Sequence, residues 1–192
     1  MSRQLPNDNA TLVAALGYSQ LWFDSGLLTR ELLVEQYQAF SHSDDQHTEH
    51  YRYGTFRSYL DGRTHLTDEE LTGYLQVALA EPDSIMGGAA AKNLFTEIDL
   101  TDNQFSTVCE KLEEFPGEWA VAVCLRQGLL RQLAGNRSTA ALFDECLMHG
   151  DNVVQKRLLQ VADASQLAIL VTSGKTRAIK NMAAQRLKTD SR

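Results

Sequence analysis

The sequence predicts an all-α fold: about 10–11 helices in antiparallel pairs, stacked as a right-handed α-solenoid. Three observations carry that expectation. Helix-start signals recur along the chain, glycines and prolines punctuate the apolar periodicity, and no run alternates apolar and polar residues between glycine-rich turns. Of the 192 residues, 43% are apolar and 22% charged, with 3 prolines, a balance that supports a packed core with few extended linkers.

The first helix can be capped by Asn7 or Asn9 and carries Leu12, Val13 and Leu16. Thr29 caps another containing Leu32, Leu33, Tyr37 and Phe40. After a polar loop at 41–46, a third carries Tyr51, Tyr53, Phe56, Tyr59 and Leu60 and ends at Asp61-Gly62.

From residue 66 the punctuation sharpens. Leu66-Thr67-Asp68-Glu69-Glu70-Leu71 contains a capping box, in which Thr67 accepts from the Glu70 amide and Glu70 reaches back. The helix that follows turns Leu71, Tyr74, Leu75, Ala78 and Leu79 inward. Pro82 interrupts it, and Asp83 or Ser84 caps the next, which runs through Leu94 and Phe95. The grammar returns 34 residues later: Leu100-Thr101-Asp102-Asn103-Gln104-Phe105 repeats the box, and Pro116 stands where Pro82 stood. Further on the period shortens. Ser138 starts a helix that ends at Gly150 as a left-handed C-cap, and Asp151 caps a helix with Val154, Leu158 and Leu159 inward. Ser165 starts another that stops at Gly174. Thr176 caps the last, with Ile179, Met182, Ala183 and Leu187 inward.

Hairpins of this kind, each needing a neighbour to cover its apolar side, are the units of an α-solenoid. Over residues 66–190 the chain resembles the HEAT-like repeat proteins. The resemblance rests on the two Leu-Thr-Asp-x-(Glu/Gln)-(Leu/Phe) starts, the Pro-separated partner helices and the closing helix Lys175-Thr176-Arg177-Ala178-Ile179-Lys180. It implies one domain over 1–192, with 1–65 as an N-terminal helical cap and 66–192 as helix-pair repeats. The usual inter-repeat Asp and Arg ladder is not evident. The resemblance speaks to architecture far more than to activity.

The formal net charge of −7 is uneven. Residues 1–66 sum to −3, 67–134 to −8 and 135–192 to +4. An acidic middle repels nucleic acid and anionic membrane and attracts a basic protein, although ordinary solvated helix faces give the same balance. No signal peptide or membrane-spanning run is expected. Cys109, Cys124 and Cys146, an odd number without metal spacing, read as small apolar residues of a reducing compartment, which places the chain in the cytoplasm.

Candidate binding residues are Tyr51, Arg52 and Arg57, with Trp22 and Trp119. On a helical wheel Tyr53, Phe56 and Leu60 share a stripe while Tyr51 points almost oppositely. Either the helix packs on both sides, or Tyr51 and its neighbouring arginines form a surface of the residue types that concentrate binding energy. The two tryptophans equally suit packing anchors. His47 and His50 are the candidate metal ligands, three apart, without the zincin pattern. Gly87-Gly88 opens a helix whose amides can face phosphate, but no strand precedes it, and close helix packing explains it better. No nucleophile constellation and no cofactor pattern stands out. The expected function is therefore a non-catalytic protein-binding scaffold, in concrete form an immunity- or antitoxin-like inhibitor of a basic partner. The alternative is a DNA-binding or DNA-repair protein like the HEAT-like glycosylases, which need a basic concave face.

Overall fold

The computed structural model describes residues 9–44, 46–135 and 138–190, and among them there are twelve helices and no strand. The expected Asn7 cap and Asp45 fall outside the described residues. The chain divides into two compact units, Met1–Glu118 and Trp119–Arg192. The expected cap boundary near residue 65 lies inside the first of them.

The first unit contains α1 (Asn9–Leu16), α2 (Gln20–Asp24), α3 (Arg30–His42), α4 (Thr48–Leu60), α5 (Asp68–Leu79), α6 (Ser84–Glu97) and α7 (Asp102–Leu112). The capping chemistry matches the expected starts. Thr67 Oγ1 accepts from the Glu70 amide while Glu70 accepts from the Thr67 amide, and Thr101 and Gln104 do the same. Asp83 rather than Ser84 caps α6, and Thr29 caps α3. Helix α2 escaped the periodicity argument. It is five residues long, Ser19 gives it no side-chain cap, and burial of Trp22 holds it.

Helices α1, α3 and α4 pack on one another, α4 lies along α6, and α5 and α7 lie side by side against α6. Aromatic rings tie these elements together. Trp22 meets Phe56 at 4.6 Å between centroids and Phe56 meets Tyr74 at 5.1 Å. The Tyr74 hydroxyl donates to the Ala90 carbonyl at 3.1 Å, so α5 and α6 are also joined by a buried hydrogen bond. Gly87 lets the two helices touch. A Cβ there would sit 2.3 Å from the Ala78 carbonyl oxygen, a backbone atom that cannot swing away. Gly87→Ala is expected to cost about 2–3 kcal/mol, as overpacking does, and the urea midpoint of unfolding checks it.

The second unit contains α8 (Trp119–Leu133), α9 (Ala140–His149), α10 (Asn152–Val161), α11 (Ala164–Ser173) and α12 (Arg177–Asp190). Helix α10 packs against α8, α9 and α12, and α11 runs along α12. The core gathers Leu133, Phe143, Cys146, Leu158, Leu167 and Ile179. Thr139 and Asp163 are the N-caps where Ser138 and Ser165 were expected, and Asp163 forms a third capping box with Gln166. Met182, expected inward, is 46% exposed.

Gly150 departs from the expected left-handed cap, with φ −67, and Gly174, where a helix was expected to stop, has φ −56. Both are glycine because of close approach. An added Cβ would stand 2.3 Å from the Cys146 carbonyl oxygen at Gly150 and 2.7 Å from the Leu170 carbonyl oxygen at Gly174.

Buried glutamines link alternate helix starts in each unit. Gln104 Nε2 donates to the Leu66 carbonyl at 2.9 Å, and Gln166 Nε2 donates to the Ser138 carbonyl at 3.2 Å. Each acceptor lies one residue before the N-cap of the helix two places earlier in the chain, α5 for α7 and α9 for α11, so the two bonds are equivalent. Gln155, 1% exposed, bridges the Leu147 carbonyl and the Lys175 amide. These side chains satisfy backbone groups that helix packing buries.

Candidate functional site

In the first unit a groove of about 690 Å³ opens between α2 and the first three turns of α5. Asp24, Asp68, Glu69 and Glu70 line it, with Leu21 and Gln76. Three of these carboxylates stand at the N-terminus of α5, where the helix dipole favours negative charge and the capping box needs Glu70. The Thr67 amide and the Arg63 guanidinium, which lies 2.8 Å from Glu70, hold the Glu70 carboxyl below the usual carboxylate range. Asp68 accepts from Gln104 at 2.8 Å. Asp24 and Glu69 are exposed at the rim. The sequence signal for this site was the acidic excess of the middle segment. Its pairing with α2 was not foreseen, because that helix has no periodic signature.

The four candidate binding residues of the first unit do not form one surface. Arg57 is exposed and lines a separate polar cavity of about 320 Å³ with Asp61, Asn93 and Glu97. Tyr51 is half-buried, its ring edge against Phe40 at 5.6 Å. Trp119 is half-buried at the start of α8 in the second unit. Trp22 is 3% exposed and belongs to the core, so the packing-anchor alternative describes it.

Arg52 is a correction: it is 6% exposed and is no part of a surface. Its Nε lies 3.1 Å from both carboxylate oxygens of Glu81 and its Nη2 2.8 Å from Oε1, while Nη1 donates to the Leu16 carbonyl and to Thr48 Oγ1. Glu81 is itself 5% exposed. Gly17 makes room for the guanidinium. Its φ is +71, and a Cβ there would lie 2.7 Å from Arg52 Nη1. The partner stands 29 positions away, and nothing in a single sequence couples two such residues.

Beside this pair lies a neutral polar network. The Tyr18 hydroxyl bonds to Gln36 and lies 2.6 Å from Thr55 Oγ1, while Gln36 Nε2 donates to Thr55 at 2.8 Å. Burial pushes the Tyr18 phenol up to about 12 against an opposing pull from those hydrogen bonds, and it pushes the Cys146 thiol up to about 11. Both groups are held neutral in the fold. Their contribution to stability is therefore complete below the ordinary values of 9.0 for the thiol and 10.0 for the phenol, and is lost as pH rises through 11 and 12. In urea titrations from neutral to strongly alkaline pH, the stability gap between wild type and Tyr18→Phe is expected to shrink above pH 10. The Phe variant has no phenol to ionise on unfolding.

The metal candidates stand close, with the His47 and His50 rings 5.3 Å apart between centroids, and His47 Nδ1 lies 3.0 Å from Glu49. No group of three or more His, Cys, Asp or Glu side chains placed to hold a metal ion occurs among the described residues. None of the three cysteines forms a disulfide; Cys146 is buried and the others are half-buried. No helix among the described residues is long and apolar enough to cross a membrane.

The fold and these surfaces define an all-helical protein of packed helix pairs, with an acidic groove on its first unit. Comparison with protein-family models, with characterised proteins and with solved structures returns no match.

Proposed function

We propose that the chain is a non-catalytic protein-binding scaffold, a HEAT-like α-solenoid whose acidic first unit holds a basic protein. The α2–α5 groove carries this reading: four carboxylates and one leucine, a size suited to a side chain or a short segment of a partner. The surrounding field points the same way, since residues 1–118 hold 20 acidic and 7 basic side chains. Such a field steers a cationic partner and repels a nucleic acid duplex. An immunity- or antitoxin-like inhibitor covering a basic toxin is the concrete form. The rigid ties between helices support it, because a preformed surface loses little entropy on binding.

The test is affinity capture from the native host at low salt, with the wild-type chain beside Asp24→Asn/Glu69→Gln. Both positions are exposed and neither residue caps a helix. A basic protein retained by wild type, released by salt and lost in the variant is the expected result. Retention of no protein, or equal retention by both chains, ends the proposal.

A further inference from the structure

The second unit has the opposite charge. Residues 119–192 carry 11 basic and 5 acidic side chains, a formal +6, against −13 for residues 1–118. Most of that charge lies on one row of helices, α8 against α10 and α10 against α12. Their sequences hold eight lysines and arginines and a single carboxylate, Asp190 at the last position. Between α10 and α12 a groove of about 500 Å³ opens. Leu159 and Met182 give it apolar surface, Lys156 and Arg186 give it positive charge, and Gln160 and Gln185 complete its sides. Met182 is 46% exposed and Val153, on the same helix as Lys156, is 51% exposed.

This chemistry selects its occupant. A duplex offers a uniformly charged backbone and gains little from exposed methionine and valine. A protein surface that carries carboxylates beside an aliphatic side chain fits both features. The chain itself presents one, since Asp24, Asp68, Glu69 and Glu70 line one groove with Leu21. We infer that the α10–α12 groove of one copy receives the α2–α5 acidic surface of a second copy, head to tail. The two patches differ, so the contact is heterologous and each bound pair leaves one patch of each kind open for the next copy. Two copies at −7 repel each other at long range, but at 0.1 M salt that repulsion is screened beyond about 10 Å, and the apposed patches dominate within it. The acidic surface is the one assigned above to a basic partner. Self-association is measured with no partner present, so the two ideas succeed or fail separately.

Sedimentation velocity of the full chain, from micromolar to several hundred micromolar, tests the contact. Wild type should gain mass with concentration at low salt and return to monomer at half-molar salt. Lys156→Glu/Met182→Glu and Asp24→Asn/Glu69→Gln change exposed positions and should each weaken association at least roughly tenfold. Mixing the two variants should restore pairing that stops at the heterodimer, because each chain then keeps one intact patch. A chain that stays monomeric at every concentration overturns the inference, as does association that neither variant alters. A short DNA duplex retained by a monomeric wild type and lost by the Lys156 variant also overturns it, and assigns the row to nucleic acid.

Discussion

Replacing Glu81 by glutamine is expected to lower the unfolding free energy by about 3–5 kcal/mol, the range for a buried ion pair that loses one member. The loss exceeds that of a surface pair because Arg52 cannot follow its charge into water. The guanidinium is held between the end of α1, Thr48 of α4 and the end of α5, with 7% of its side chain exposed. With a neutral amide opposite, its charge stays buried while its attraction is gone. Arg52→Met with Glu81→Met should recover part of the loss, since no charge then remains inside. Recovery stays incomplete because the Leu16 carbonyl has lost its donor. Equilibrium urea unfolding of the single and double variants supplies both numbers. A Glu81→Gln chain within 1 kcal/mol of wild type, on the order of a surface pair, would show that the pair is solvated in solution.

Phe56→Ala should cost a comparable amount, about 3–5 kcal/mol, by a different mechanism. The ring is 0% exposed and sits between Trp22 of α2 and Tyr74 of α5, so its removal opens a cavity shared by three helices. The short α2 has the most to lose, since it lacks a side-chain cap and rests on Trp22. Tryptophan fluorescence should therefore show Trp22 becoming solvated before the bulk of the helix signal melts. A single cooperative transition with an unshifted midpoint would mean that neighbouring side chains refill the space.

These two sites divide neatly by what a sequence can say. Phe56 was placed inward by its stripe with Tyr53 and Leu60, and the structure buries Phe56 and Leu60 while leaving Tyr53 half-buried under a hydrogen bond from Asn93. Arg52, flanked by Tyr51 and Tyr53, belongs by residue type to a binding surface, and only the structure shows it buried. Its burial depends on a carboxylate brought in by a different hairpin. The glycines show the same limit in another form. Gly150 and Gly174 were legible as helix ends, yet their backbone is not left-handed. The space they leave is consumed by Val154 and Ile179 and by their own helices' carbonyls.

The acidic groove was half legible. The carboxylates of α5 stood out as a capping box and as part of a charge excess, because both are matters of composition and local spacing. That Asp24 and Leu21 complete the groove depends on a five-residue helix with no period of its own. The basic row of α8, α10 and α12 was visible as a C-terminal surplus, but not as one layer.

The sequence by itself determined the helical class, most helix starts and the inward positions of α10, because caps, breakers and 3.6-residue spacing act over a few residues. Tertiary structure alone decided the Arg52–Glu81 pair, the glutamine links between helix starts and the division at residue 118. Each of these joins groups far apart along the chain, and such pairs take their energy from burial that exists only once the helices have packed.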